Sequence, residues 1–182
     1  MCIDLRFLIT GDIAGVVVQV GDSVTKVAVG DRVAALIPLL GSKWGGYAEY
    51  VAVNADYVAI IPSKLSFPEA ASLPLVALTA MTAFDNIPLP HTNKKVLIHA
   101  GSGGVGSFAI QYAKQVLRFD TVATTCSHRN KDFVTSLGAT DVIDYTTTDF
   151  IDVVKNFDVI IDPMSFLYEE QSLQPGTPVG MH

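Results

Sequence analysis

The most informative segment of the sequence is residues 96–106, which read Val-Leu-Ile-His-Ala-Gly-Ser-Gly-Gly-Val-Gly. Its apolar first half predicts a buried strand ending at Ala100, and the residues after the glycines predict a helix. Gly101, Gly103 and Gly106 have G-x-G-x-x-G spacing, which indicates a dinucleotide site when it joins a strand to a helix. The first glycine permits the tight turn, the second lets the backbone approach a pyrophosphate, and the third lets helix and strand pack. The alternative is a glycine turn that serves packing alone.

Strands and helices alternate around this turn, which predicts a parallel sheet covered by helices on both faces. The predicted strands are residues 96–100, 121–126, 141–144 and 158–161. The predicted helices are residues 104–116, 130–137 and 150–155, the second of them closed by Gly138.

The first part of the chain has a β pattern instead. Short β-branched runs separated by glycine turns predict a small antiparallel barrel or sheet. The predicted strands are residues 13–20, 32–36, 47–53 and 57–61.

Helical patterns follow the last of these strands. Ser66-Phe67-Pro68-Glu69 is a capping box, and residues 75–84 predict an almost uncharged helix that should be buried on most sides. Pro88 and Pro90 mark a linker. We therefore predict a first domain over residues 1–84 and a second over residues 85–182.

Composition excludes several partners. The 182 residues carry 12 Lys and Arg against 18 Asp and Glu, and a formal net charge of −6 disfavours nucleic acid and anionic lipid. Two cysteines cannot by themselves form a four-ligand zinc site. The longest uncharged apolar stretch, residues 70–84, is too short for a membrane span and contains Pro74. No secretory signal is visible at Met1, so we expect a cytoplasmic protein, or a mitochondrial one if a presequence precedes this sequence.

The end of the second predicted strand indicates the type of nucleotide. An NAD site places Asp or Glu there, whereas this sequence has Ser127 and Arg129, with Lys131 close by. A hydroxyl and two cations suit the 2′-phosphate of NADPH. The alternative is that Arg129 and Lys131 are ordinary solvated charges at the start of a helix.

Six segments carry a family resemblance and occur in the family's order. They are residues 11–17, 29–33, 45–50, 70–80, 100–111 and 137–145. On these segments the chain resembles the zinc-independent quinone oxidoreductase (zeta-crystallin-like) branch of the medium-chain dehydrogenase/reductase superfamily. The resemblance implies an α/β fold, with a partial GroES-like β-barrel domain followed by a partial Rossmann (doubly wound, parallel) domain. Family members are longer, which implies a chain truncated at both ends.

The resemblance also implies a function: NADPH-dependent reduction of quinones or other α,β-unsaturated carbonyls by direct, metal-free hydride transfer. The zinc members of the superfamily have a Gly-His-Glu sequence where this chain has Gly11-Asp12. The resemblance therefore implies no metal. The alternative is a catalytically inactive, reductase-like structural or interaction subunit of a larger assembly. A third, weaker reading is a nucleotide-binding sensor.

Site residues follow from the resemblance as well. Thr79 would approach the nicotinamide as the catalytic residue, the alternative being a helix hydroxyl bonded to the preceding turn. Tyr145 would lie beside the adenosine phosphate, the alternative being an aromatic cover for the sheet. The full set of expected cofactor-binding residues is Gly101, Ser102, Gly103, Gly104, Val105, Gly106, Ser127, Arg129, Lys131 and Tyr145.

The last predicted strand bears on assembly. Residues 158–162 are apolar on both faces, which is typical of a central strand and not of an edge. An uncovered edge would expose unpaired backbone groups. We therefore expect a homo-oligomer, or another protein chain, to cover the open sheet edge.

Overall fold

A computed structural model describes residues 11–38, 45–85, 87, 93–153, 155–164 and 179–180. The chain divides into two compact units, Met1–Leu75 and Val76–His182. The domain boundary expected after Phe84 stays a prediction, and the linker prolines Pro88 and Pro90 lie outside the described residues.

The first unit contains an antiparallel sheet of strands β1 (Asp12–Val16), β2 (Arg32–Leu36) and β3 (Val58–Ile60), in that order. Asp12 lies opposite Leu36, and Val33 lies opposite Ile60. The prediction of β2 is confirmed, and β1 is shorter than predicted.

The predicted strand over residues 47–53 is wrong, because these residues are irregular. Tyr47 and Tyr50, the large side chains of this segment, are 83% and 75% exposed. A β-prone sequence needs a neighbouring strand and a surface to cover, and no described strand pairs with this one.

Helix α1 (Phe67–Ala71) begins at the predicted capping box, which is confirmed. The backbone N–H of Ser66 donates to Oε2 of Glu69 at 2.9 Å, and that of Glu69 donates to Oγ of Ser66 at 3.4 Å. Ala70 of this helix packs with Ala34 and Ile61 in the small core of the unit.

Helix α2 (Pro74–Asp85) forms as predicted, but its expected burial on most sides is wrong. Only Ala80, Ala83 and Phe84 are buried, whereas Leu78 is 50% exposed. These three lie on one face of the helix, and they pack in the main core of the second unit. None of the described helices has the length and apolar character needed to cross a membrane.

The second unit contains a five-stranded, fully parallel sheet in the order β6-β5-β4-β7-β8. Its strands are β4 (Lys95–Ile98), β5 (Thr121–Cys126), β6 (Asp141–Asp144), β7 (Val159–Ile161) and β8 (Val179–Gly180). The predicted parallel arrangement is confirmed. Chain order reverses between β4 and β7, and in open α/β sheets ligands bind beyond the carboxyl ends of strands at such a point.

Helices connect these strands on both faces of the sheet. They are α3 (Gly104–Gln111), continued by a wider turn over Tyr112–Val116, then α4 (Lys131–Ser136) and α5 (Phe150–Val153). Gly138 adopts a φ of 114° directly after α4, as expected of a glycine that ends a helix. Val96 and Ile98 face the core that holds α3, whereas Leu97 faces Phe150 of α5.

Strand β7 lies inside the sheet and not at its edge. Residues 159–161 are buried, and Ile160 pairs with Val179 of β8 in the same chain. The expectation that β7 would be left open is therefore corrected, because the chain itself supplies a neighbouring strand.

Candidate functional site

The turn between β4 and α3 is tight and tied to β5. Ala100 has a left-handed backbone conformation with a φ of 51°, which is uncommon for a residue other than glycine. The N–H of Gly103 donates to the carbonyl of Ala100 at 2.9 Å, and that of Gly101 donates to the carbonyl of Thr125 at 2.9 Å. The backbone therefore reverses within a few residues at the carboxyl end of β4.

Two glycines of this turn have no room for a side chain. A Cβ at Gly101 would lie 1.9 Å from Oγ1 of Thr124, and one at Gly106 would lie 2.3 Å from the carbonyl oxygen of Ala100. Gly103 and Gly104, by contrast, are exposed. The first and third glycines thus let helix and strand pack, and the exposed backbone between them is open to a ligand.

The start of α3 fits an anion. The N–H groups of Gly104, Val105 and Gly106 occupy the first turn, where a helix offers no internal acceptor. The residue before them, Gly103, has no side chain to cap them. Free N–H groups and the helix dipole together suit a phosphate or pyrophosphate, so this cradle fits the expected dinucleotide.

Two threonines of β5 support the turn from its two sides, and sequence reasoning missed both. The hydroxyl of Thr124 donates to the carbonyl of Ile98 at 2.7 Å. The hydroxyl of Thr125 accepts from the N–H of Ala100 at 3.1 Å and lies 3.2 Å from Nδ1 of His99. The sequence signal was two adjacent threonines at a strand end, whose side chains point to opposite faces of the sheet.

His99 is buried on the face of the sheet that carries α5. Its ring meets that of Phe150 edge-on, with centroids 4.7 Å apart. Burial lowers the pKa of His99, and the negative charge of Asp162 opposes this shift. A cavity of about 390 Å³ opens beside it, lined by His99, Thr125, Tyr145, Thr146, Thr147, Thr148, Asp149 and Phe150.

The end of β5 brings a second group of predicted residues beside the glycine turn. Ser127 precedes a single turn of 3₁₀ helix over His128–Asn130, and Arg129 and Lys131 are exposed there. The side-chain amide of Asn130, which sequence reasoning missed, donates to Oγ of Ser102 at 3.0 Å and to Oγ of Ser127 at 3.3 Å. Ser102 of the turn and Ser127, directly after β5, are therefore joined through one side chain.

The third group lies at the end of β6. Tyr145 is 57% exposed, and its N–H donates to the carbonyl of Cys126 at 3.2 Å. Asp144 beside it accepts from the hydroxyl and N–H of Thr146 at 2.7 and 2.9 Å, which holds the pKa of this carboxyl below its usual value. Its other oxygen, Oδ2, lies 3.6 Å from Nδ1 of His128, so the carboxylate faces both its own loop and the segment after β5.

Thr79 lies on the exposed side of α2. Val76, one helical turn earlier, is the residue that a Cβ at Gly104 would contact, at 3.0 Å. Residues three apart share a helix face, so Thr79 belongs to the face of α2 near the start of α3. Its approach to the nicotinamide stays a prediction.

Asp12 has a structural role in the first unit. Its Oδ1 accepts from the N–H of Leu75 at 2.7 Å, in the first turn of α2. Groups of three or more His, Cys, Asp or Glu side chains able to hold a metal are absent from the described part of the chain.

Comparison with known proteins agrees with this geometry. Residues 3–63 match the alcohol dehydrogenase GroES-like domain, and residues 104–174 match the zinc-binding dehydrogenase family. The quinone oxidoreductase of Coxiella burnetii is 37% identical with a TM-score of 0.79, and the match covers 92% of this chain and 53% of that one. The chain belongs to the medium-chain dehydrogenase/reductase superfamily and is similar to its quinone oxidoreductases. The expected GroES-like and Rossmann folds are thereby confirmed.

Other members of this superfamily carry functional names. The tomato (Solanum lycopersicum) 2-methylene-furan-3-one reductase is 43% identical over 155 residues, which are 83% of this chain and 40% of the relative. The chloroplastic NADPH-dependent alkenal/one oxidoreductase of Arabidopsis thaliana is 40% identical over the same shares of both chains. A quinone oxidoreductase of Escherichia coli, solved with NADPH, is 28% identical with a TM-score of 0.77. The match covers 95% of this chain and 58% of the Escherichia coli chain. The chain spans less than half the length of these curated relatives.

Proposed function

We propose that the protein is an NADPH-dependent oxidoreductase that reduces quinones or other α,β-unsaturated carbonyls by direct, metal-free hydride transfer. The observation that carries the proposal is the turn at Gly101–Gly106, where crowding excludes side chains at two glycines and exposed backbone precedes an uncapped helix. NADPH supplies the hydride when bound, and the residues of the chain hold and orient it.

The choice of NADPH over NADH rests on charge at the end of β5. Arg129 and Lys131 are exposed cations beside the Ser127 hydroxyl, and Asp144, the acidic residue that ends β6, is held by Thr146. Cations and hydroxyl donors favour a 2′-phosphate, whereas a free carboxylate would favour a ribose 2′-hydroxyl. Tyr145, exposed beside Asp144, would lie near the same phosphate.

Relatives support the substrate class. Their names include a quinone oxidoreductase, an alkenal/one oxidoreductase and a furanone reductase, whose substrates share a conjugated carbonyl. Thr79 is the residue we assign to the nicotinamide side of the site. The metal-free step is supported by the sequence, which has only two cysteines and carries Asp12 where the zinc members have histidine.

Binding and turnover test the proposal separately. We expect NADPH to bind with a fluorescence change, and its absorbance to fall when a small p-quinone or enone is added. Prior treatment with a chelator should leave this rate unchanged. Binding without turnover of either acceptor would favour the alternative of an inactive, reductase-like subunit, and absence of binding would contradict the proposal.

A charge reversal tests the nucleotide preference. Arg129→Glu should weaken NADPH binding about tenfold while changing NADH binding little, because one charge-assisted contact to the phosphate is replaced by repulsion. Lys64→Glu, at an exposed position of the first unit, changes net charge equally and should leave the ratio of the two affinities unaltered. Equal effects of the two substitutions would contradict the assignment.

Location and assembly are further parts of the proposal. Several relatives are named as chloroplastic or mitochondrial proteins, so the expected cytoplasmic location stays a prediction beside an organellar one. A homo-oligomer, or another protein chain at the sheet edge, likewise stays a prediction.

A further inference from the structure

Asn130 is the last residue of the 3₁₀ turn over His128–Asn130, which runs directly into α4. Its backbone has a φ of −101° and a ψ of 3°, and not the extended conformation that a helix-capping residue normally adopts. Its side chain makes no capping hydrogen bond to α4 and is held by a different interaction.

That interaction is a bridge between two loops. Nδ2 of Asn130 donates to the hydroxyl oxygens of Ser102 and Ser127, at 3.0 and 3.3 Å, and all three residues are partly buried. Ser102 lies in the glycine turn after β4, and Ser127 follows β5. One amide thus sets the spacing between the turn and the end of β5.

The bridge also determines what the two serines can offer to a ligand. A hydroxyl has one hydrogen and two lone pairs, and the amide hydrogens of Asn130 occupy one lone pair of each serine. Among the described residues, neither hydroxyl donates to an acceptor of the protein. Both hydrogens therefore remain for an acceptor outside, and Arg129 and Lys131 make an anion the favoured one.

We propose that Asn130 is a positioning residue that holds the hydroxyls of Ser102 and Ser127 so that both donate to the 2′-phosphate of NADPH. This inference rests on the proposed function and deepens it. It assigns the discrimination between the two dinucleotides to a side chain that does not itself bind the phosphate.

The test compares NADPH and NADH affinities of the 182-residue chain and its variants. Asn130→Ala should weaken NADPH binding about tenfold and NADH binding less than about twofold, with little change in melting temperature. Asn130→Asp should lower the preference for NADPH over NADH further. A carboxylate would accept the hydroxyl hydrogens of both serines, which then could not donate to the phosphate, and it would also repel the phosphate. Asn54→Ala, which removes an asparagine that caps a 3₁₀ turn in the first unit, is the matched control and should leave the ratio unchanged.

A double-mutant cycle separates positioning from a merely structural role. In a Ser102→Ala, Ser127→Ala background, Asn130→Ala should have no further effect on the ratio, because the groups it positions are gone. If the ratio of NADPH to NADH affinity is unchanged by Asn130→Ala, or falls equally in both backgrounds, the role of Asn130 is overturned. The proposal that the protein binds NADPH would still stand. A wild-type chain that binds both nucleotides equally contradicts the proposed cofactor preference itself, and this inference with it.

Discussion

Gly106 is the residue at which the turn tolerates least change. A Cβ there would lie 2.3 Å from the carbonyl oxygen of Ala100 and 2.8 Å from Cα of Gly101, both of which are backbone atoms that cannot rotate away. Gly106→Ala should therefore lower the free energy of unfolding by roughly 1–3 kcal/mol. Gly15→Ala is the control, because a Cβ at Gly15 meets nothing within 4 Å and should leave stability unchanged or slightly raised. Denaturant unfolding measures both, and equal effects would contradict the described packing.

We expect His99 to make the stability of the folded chain depend on pH. Burial lowers its pKa in the folded chain, with Asp162 opposing, so below about pH 6.5 the unfolded chain binds more protons than the folded one. The free energy of unfolding should fall as pH drops from about 7 to 5, a range above the usual carboxyl titrations near 4. His99→Leu should show a flatter profile over this range, measured by denaturant unfolding at each pH. Parallel profiles would show that His99 does not titrate on unfolding.

Strand β5 holds the end of β4 through side chains as well as through the hydrogen bonds of the sheet. Thr125→Val removes the oxygen that accepts from the N–H of Ala100 and leaves that N–H unsatisfied. The loss should be about 1–3 kcal/mol of stability, together with weaker NADPH binding. Thr125→Ser keeps the hydroxyl and should lose less of both.

A matched control lies on the same strand. The hydroxyl of Thr121, at the start of β5, takes part in none of the hydrogen bonds described, and valine suits a strand equally well. Thr121→Val should change stability by less than about 0.5 kcal/mol. Unfolding curves of the three variants test this order, and a Thr125→Val variant as stable as Thr121→Val would refute the role of the hydroxyl.

The sequence predicts those features that are encoded by residues close together in the chain. The capping box at Ser66, the bounds of β5 and the glycine turn are encoded by neighbouring residues, and all three were predicted. The bridge from Asn130 to Ser102 joins residues 28 apart, so it becomes visible only once the positions of β4 and β5 are known. The strand predicted over residues 47–53 is wrong because a local β pattern is not sufficient to form a strand. No described strand pairs with this segment.

The assembly prediction concerns the edges of the parallel sheet. β8 (Val179–Gly180) is an edge strand, and no described strand pairs with its outer side, so another chain could pair there. We expect sedimentation of the purified chain to give a mass above the 19.5 kDa of a single copy. A monomer at all concentrations, with cooperative unfolding, would contradict this prediction.

We expect the second unit to bind NADPH at the turn between β4 and α3, and calorimetric titration of the 182-residue chain tests this expectation. We predict saturable binding of one NADPH per chain, with NADH binding at least about tenfold weaker because it lacks the phosphate contacts. Gly106→Ala should lose NADPH binding, since the turn cannot keep its conformation. Absence of binding, equal affinities for the two nucleotides, or tighter binding of NADH would contradict the account.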